Sequence, residues 1–145
     1  MKNVGSTFEY EDARNEDLMR AYQRVLCMSG DKSAADVYKK VAEMPAERFW
    51  VSEERAAIVI SNMFKGRSIA NMRSNKREMY EEIFRRVQAL KKERPEDTIY
   101  ELTFEVVQQP APKFYLTPES ARIIIHYIKK KWYAERKRKY RHLFM

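Results

Sequence analysis

The sequence has a single cysteine, Cys27, among its 145 residues. One thiol excludes a disulfide within the chain, and it excludes the zinc modules that need several cysteines. We interpret Cys27 as a small, half-buried apolar residue of the fold and not as a reactive thiol.

Glycine is also scarce, with three in the chain. The three glycines, Gly5, Gly30 and Gly66, are far apart in the sequence, so neither the GxGxxG nor the GxxxxGK[ST] pattern of a phosphate-binding loop occurs. Few positions remain for glycine-dependent turns, which favours helix.

Long apolar runs are missing as well. The longest, Ala56 to Ile60, is far below the roughly 20 residues that span a bilayer. The N-terminal stretch MKNVGSTFEYEDAR contains no apolar signal-peptide core. We therefore expect a cytoplasmic protein with no membrane partner. The content of 44% apolar and 34% charged residues is typical of a chain that folds around a core.

Groups for catalysis or metal binding are few. The two histidines, His126 and His142, have no partner at metal-ligand spacing, and no HExxH motif occurs. Acidic pairs such as Glu53-Glu54 fall at predicted helix starts, where the helix dipole accounts for them. The sequence therefore predicts no catalytic residue, no metal, no cofactor and no enzymatic activity.

An internal repeat organises what is present. Residues 45–60, PAERFWVSEERAAIVI, align without a gap to residues 110–125, PAPKFYLTPESARIII, with 7 of 16 positions identical. Chance would give about one identity. The offset of 65, which we call the repeat offset, extends outwards with weaker identity. We divide the chain into an N-terminal extension at 1–14, a first repeat at 15–79, and a second repeat with a basic C-terminal segment at 80–145.

Each repeat is predicted to contain three helices, A, B and C. Helix A is expected at 10–28 and 74–93 from its apolar spacing. Helices B and C are expected to start after the hydroxyl N-caps Ser33, Thr98, Ser52 and Thr117. The second helix B, TIYELTFEVV, is typical of a strand by itself. Its counterpart AADVYKKVAE is helical in pattern, so we predict helix for both.

Helix C is apolar on several sides, which predicts burial. Gly66 is expected to end it in the first repeat, whereas Lys131 takes that position in the second and lets the helix continue. The predicted fold class is therefore all-α, with two tandem three-helix repeats of about 65 residues. Such a pseudo-dimer is compatible with a monomer or a homodimer.

The arrangement of helices is similar to tandem helix-turn-helix proteins such as Myb-type repeats, in architecture only. The connection between helices B and C, MPAERFWV or QPAPKFYL, has eight residues, whereas a helix-turn-helix turn has about three or four. The start of helix C carries glutamates, which repel phosphate. We therefore do not assign helix C as a recognition helix.

The net charge of +8 is concentrated in two short stretches that align at the repeat offset, residues 67–80 with +3 and residues 129–145 with +7. Two basic segments predict two contacts with a polyanion, because each neutralised phosphate releases counterions. The predicted nucleic-acid-binding residues are Arg67, Arg73, Lys76, Arg77, Lys130, Lys131, Arg136, Lys137, Arg138 and Arg141.

A second candidate patch lies in the B–C connections and consists of Arg48, Trp50, Lys113 and Tyr115. These residues form either a binding surface or a purely architectural elbow. The predicted function is non-enzymatic binding of nucleic acid, duplex DNA before RNA, in a regulatory or accessory role. The alternative is a protein-interaction or scaffold module that grips a partner through these aromatic residues, with a tail that only solubilises.

Overall fold

The computed structural model describes residues 5–30 and 33–144, and over these ranges the chain has six helices and no strand. The predicted all-α class is therefore confirmed. The helices are α1 (Gly5–Ser29), α2 (Ala34–Glu43), α3 (Glu53–Phe64), α4 (Ser74–Glu93), α5 (Ile99–Val107) and α6 (Pro118–Phe144).

Side-chain caps define where the short helices begin. Ser33 and Ser52 accept hydrogen bonds from the backbone N–H groups of Asp36 and Arg55. Thr98 forms a complete capping box with Glu101. These starts agree with the sequence-based ones, whereas α1 begins at Gly5 instead of residue 10. The apolar spacing that located α1 starts later than the helix itself.

The segment with strand-like composition is helix α5, as its counterpart predicts. Thr103 is fully buried there, and its hydroxyl donates to the carbonyl oxygen of Ile99 at 2.7 Å. That bond satisfies the hydroxyl within the helix, so a β-branched residue is accommodated without a strand partner.

Helix α3 ends in a Schellman motif at Gly66, whose φ is +87°. The N–H of Gly66 bonds to the carbonyl of Met63, and that of Arg67 bonds to the carbonyl of Asn62, both at 3.0 Å. In α6 the corresponding position is Lys131, and the helix continues through it to Phe144. Both sequence-based predictions about the end of helix C are confirmed.

The six helices form two three-helix bodies that each draw on both halves of the chain. Helix α6 packs against α2 and α1, which makes body 1, and helix α3 packs against α5 and α4, which makes body 2. The packing therefore groups the helices differently from the sequence segments 15–79 and 80–145.

The two segments that connect body 1 to body 2 contact each other and run antiparallel at that point. We call residues 44–52 the first elbow and residues 108–117 the second elbow. Ala46 and Ala111 exchange two backbone hydrogen bonds, each 3.0 Å long. Phe49 donates to the Val107 carbonyl at 3.1 Å, and Phe114 donates to the Ala42 carbonyl at 3.3 Å. Each donor and each acceptor is related to its counterpart by the repeat offset.

The core is one continuous cluster that both bodies share. Phe49 and Phe114, from the two elbows, are buried in it. Its largest fully buried side chains also include Leu18, Val25, Val41, Ile60, Tyr80, Ile83, Leu102 and Ile125.

Two expectations about burial are wrong. Ile58 of α3 and Ile123 of α6 are 46% and 55% exposed, although helix C was predicted to be buried on several sides. Each of these helices packs against two neighbours, so its outer face stays in solvent. Cys27 is also exposed, because it lies on the outward side of α1 between the exposed residues Leu26 and Met28.

Candidate nucleic-acid interface

Many basic residues of the two bodies are paired with carboxylates. Arg20 contacts Glu47 at 2.9 Å, Arg86 contacts Glu82 at 2.8 Å, Arg94 contacts Asp97 at 2.8 Å, and Lys113 contacts Glu78 at 2.7 Å. Two of these ion pairs lie within body 2, and the other two join a body to an elbow. These cations therefore already have carboxylate partners within the chain.

The C-terminal part of α6 lies beyond its last buried residue, Ile128. We call residues 130–141 the projecting segment, since every one of them is exposed. At 1.5 Å per residue it is about 18 Å long. Its predicted site residues are Lys130, Lys131, Arg136, Lys137, Arg138 and Arg141. None of them forms a salt bridge with any residue that the structure describes.

Lys129 anchors the projecting segment to body 1. Its ammonium group donates to the Tyr22 hydroxyl at 2.7 Å and lies 4.4 Å from the centre of that ring. Tyr22 in turn stacks on Tyr38 at a centroid distance of 5.9 Å. Burial, together with the neighbouring Tyr22, raises the pKa of Tyr38. Lys129 thus has a structural role that sets the direction in which α6 leaves the body.

The other predicted basic residues lie on the connection from α3 to α4 and on the first turn of α4. We call residues 67–77 the first basic segment. Arg67, Arg73 and Lys76 are exposed, and Arg77 is partly buried. Arg67 donates to the Asn62 side-chain oxygen at 3.2 Å and Arg77 to the Ala70 carbonyl at 3.3 Å. Both acceptors are neutral, so the positive charge of the segment is not cancelled.

The two basic segments lie at corresponding positions of α3 and α6, but their structures differ. The first basic segment follows Gly66, where α3 stops, and its Ile69 and Met72 pack against the core. The projecting segment continues α6 without a break. The first basic segment is therefore a loop and a first helical turn that pack against the core, and the projecting segment is a helix whose residues 130–141 are all exposed.

The second candidate patch makes contacts within the chain in the first elbow. The guanidinium of Arg48 donates to the carbonyls of Phe49 at 3.1 Å and Val51 at 2.9 Å, and its side chain is 14% exposed. The indole N–H of Trp50 donates to Asp17 at 2.8 Å. These bonds fix the path of the elbow between the two bodies.

Lys113 and Tyr115, the two residues of that patch in the second elbow, also contact groups of the same chain. Lys113 pairs with Glu78 and lies 5.6 Å from the centre of the Tyr115 ring. Tyr115 stacks on Phe49 at 6.1 Å and has a φ of +59°, in the left-handed region. Burial raises the pKa of Tyr115. The structure brings these four residues into the elbows, where each contacts the chain's own groups.

Two residues that position the elbows were missed by the sequence reasoning. Asp17 accepts from the backbone N–H of Glu47 at 2.8 Å as well as from Trp50. Arg86 donates to the carbonyl of Pro110 at 3.0 Å while Glu82 holds it. Asp17 and Glu82 are related by the repeat offset. A carboxylate at the same position of both copies of helix A was therefore the sequence signal for Asp17 and for Glu82, which holds Arg86.

Within residues 5–30 and 33–144, no group of three or more His, Cys, Asp or Glu side chains is placed to hold a metal ion. The His142 side chain lies outside the described part. No helix in these ranges has the length and apolar character needed to cross a membrane. Comparison with protein-family models, with curated proteins and with solved structures gives no match to this chain.

Proposed function

We propose that this protein binds duplex nucleic acid, DNA in preference to RNA, without catalysing a reaction and in a regulatory or accessory role. Phosphates are contacted by the first basic segment and by the projecting segment. One observation carries the proposal. The basic residues of these two segments have no carboxylate partner among the described residues, whereas many of those on the bodies do.

Unpaired surface cations favour a polyanion for a physical reason. They lose no internal ion pair when they approach phosphate, and each contact releases counterions into solution. DNA is preferred over RNA because the major groove of B-form DNA admits a helix, whereas that of A-form RNA is deep and narrow. The exposed helix of the projecting segment fits the major groove of B-form DNA and does not fit that of A-form RNA.

The proposal includes a tandem repeat of two three-helix units, α1–α3 and α4–α6. Their third helices, α3 and α6, are exchanged, so that each packs with the first two helices of the other unit. The backbone bonds of the elbows, which are related by the repeat offset, support it. Such a pseudo-two-fold arrangement presents the two basic segments from corresponding ends of α3 and α6. Because α2 and α3 pack in different bodies, we do not extend the proposal to a helix-turn-helix.

The alternative function, a protein-interaction module that uses the elbows, has less support. Arg48 and Trp50 donate to acceptors of the same chain, and Tyr115 stacks on Phe49. A partner that gripped these side chains would have to compete with contacts that hold the two bodies together. We therefore favour nucleic acid over a protein partner.

Fluorescence anisotropy with a labelled DNA duplex of about 20 base pairs, roughly two turns, tests the proposal across a range of salt. The double variants Arg73→Glu with Lys76→Glu, and Arg138→Glu with Arg141→Glu, are each expected to weaken binding by about ten-fold or more at low salt. Each should also reduce the dependence of the binding constant on salt, since fewer phosphates are contacted.

The matched control reverses Lys39 and Lys92 to Glu, which changes the net charge equally on exposed positions of the two bodies. Its affinity should stay close to that of the unmodified protein. If all three variants lose the same amount of DNA affinity, net charge alone explains the loss, and the assignment of the two basic segments as the contact sites is wrong. If only the change at 138 and 141 matters, the two-contact arrangement is wrong.

A further inference from the structure

We propose that the projecting segment enters the major groove of duplex DNA as a helix, and that DNA binding stabilises its helical form. This inference rests on the proposed function and adds how one of its two segments makes contact. It starts from an observation about α6. Residues 130–141 are helical, yet all of them are exposed, so no side of this segment is buried against the part of the chain that the structure describes.

The dimensions of the segment match a groove. A helix with its side chains is about 10–12 Å across, and the major groove of B-form DNA is about 12 Å wide. With a length of about 18 Å the segment covers roughly half of one DNA turn, which is about 34 Å. The small residue Ala134 lies between Lys130 and Lys137 on one face. It leaves room for close approach to base edges.

The charges are distributed around the helix, as a groove requires. Lys130, Lys137 and Arg141 recur at helical spacing on one face, and Lys131 with Arg138 lie beside them seven residues apart. Arg136 and Lys139 lie on the other side. A helix in a groove has phosphates along both walls, whereas a helix on a flat surface needs cations on one side only.

The apolar face that buries the first part of α6 does not continue through the segment. Ile125 and Ile128 are buried, and Trp132 follows at the next position of that face, 47% exposed. Beyond it the same face carries Glu135 and Lys139. A partner helix, including that of a second copy of the chain, needs apolar residues at these positions. The chemistry of this face therefore favours a polyanion over a helical protein partner, while the exposed Tyr133 and Tyr140 lie on another face.

Coupling between binding and helix stability follows from the same charges. The projecting segment is the end of α6 and is not buried against the described residues, so packing does not stabilise it. Like charges spaced four apart, as in Lys137 and Arg141, destabilise it, although Glu135 offsets part of this repulsion. Phosphates on both walls remove this repulsion. The helicity of the full-length protein should therefore increase when duplex DNA is added.

Ala134→Pro in the full chain tests this inference, because it breaks the projecting helix while keeping every charge. We expect it to weaken binding to the duplex by at least about ten-fold and to abolish the gain in helicity, measured by circular dichroism. Protection of guanine N7, a major-groove atom, from methylation by dimethyl sulfate should also be lost. Ala134→Ser, which retains the helix, is the control and should bind like the unmodified protein.

The outcomes distinguish the two proposals. The melting temperature of Ala134→Pro should be unchanged, because residue 134 is exposed and lies beyond Ile128, the last buried residue of α6. If Ala134→Pro binds as tightly as the unmodified protein, the basic residues act as a tether and the groove model is wrong. The proposed phosphate contacts of the two basic segments then stand, and the preference for DNA over RNA loses its structural reason. If guanine N7 is not protected in the complex with unmodified protein, the groove model is also wrong. If the unmodified protein does not bind duplex DNA at any salt concentration, both proposals fail.

Discussion

Asp17 illustrates how a single side chain ties an elbow to a body. It is 6% exposed, and its carboxylate accepts from the Glu47 backbone and the Trp50 indole, with Arg20 at 3.8 Å. A buried carboxylate is tolerated only when its hydrogen bonds are made. Within the described residues, no buried side-chain nitrogen or oxygen lacks a partner. The elbow geometry is therefore specified by polar contacts as well as by apolar packing.

Buried tyrosines predict that the protein loses stability at alkaline pH. Tyr80 is 2% exposed, and burial raises its pKa above the ordinary value of 10.0. The unfolded chain releases this proton first, so the native state binds more protons and the free energy of unfolding falls as pH rises above about 10. Thermal melts across this range should show the decline.

The variant Tyr80→Phe should show a weaker alkaline decline, because the phenol that titrates is gone. Tyr127→Phe is the matched control, since Tyr127 is 62% exposed, and it should leave the decline unchanged. An equally steep decline in Tyr80→Phe would show that other groups cause the alkaline loss of stability.

At the level of elements, helix ends distinguish the two basic segments. Gly66→Ala should lower the free energy of unfolding by about 1 kcal/mol, because Ala is strained in the left-handed region. A Cβ at this position meets no atom within 4 Å, so the cost comes from the backbone and not from a clash. Urea denaturation measures it. Gly66→Asn should cost less, and Lys65→Ala, at the neighbouring exposed residue, should be close to neutral.

The helices were largely predictable from the sequence, because caps and apolar spacing are local signals. Ser52, Thr98 and Gly66 each mark a boundary that the structure has. The exposure of Ile58 was not predictable, since a helical pattern does not say how many neighbours a helix has. The packing of α3 with α4 and α5, and of α6 with α1 and α2, was also hidden. The alignment of residues 45–60 with 110–125 is the same whether helix C packs in its own half of the chain or in the other.

The candidate site was predictable only in part, for a similar reason. Exposed charge is expected of residues such as Lys137 in a highly basic stretch, and the structure places it in solvent. The elbow residues needed three-dimensional information, because Arg48 bonds to nearby carbonyls while Trp50 reaches Asp17 on another element. Sequence spacing could not separate a binding surface from an architectural one there.

At the level of the whole molecule, the exchange predicts that the two halves stay together after the chain is cut. A protease recognition site inserted between Ala70 and Asn71, both exposed, would separate α1–α3 from α4–α6. Because α3 packs in body 2 and α6 in body 1, the fragments should co-elute at the size of the intact protein in gel filtration. They should separate only in denaturant.

A cut after Ala134 is the control for that experiment, because residues 135–141 of α6 are all exposed. The released peptide should elute by itself. If the fragments made by the cut at Ala70 also elute apart, the two bodies do not depend on helices from opposite halves, and the exchanged packing is wrong.

The order of the helices along the chain also sets when each body is completed during synthesis. Body 2 has all its helices once α5 has been made, whereas α1 and α2, which precede α3 in the chain, need α6, which follows α5. Synthesis proceeds at roughly 5–20 residues per second. The apolar faces around Val25 and Val41 therefore remain uncovered by α6 for several seconds. The nascent chain is therefore expected to expose these apolar faces to solvent until α6 has left the ribosome.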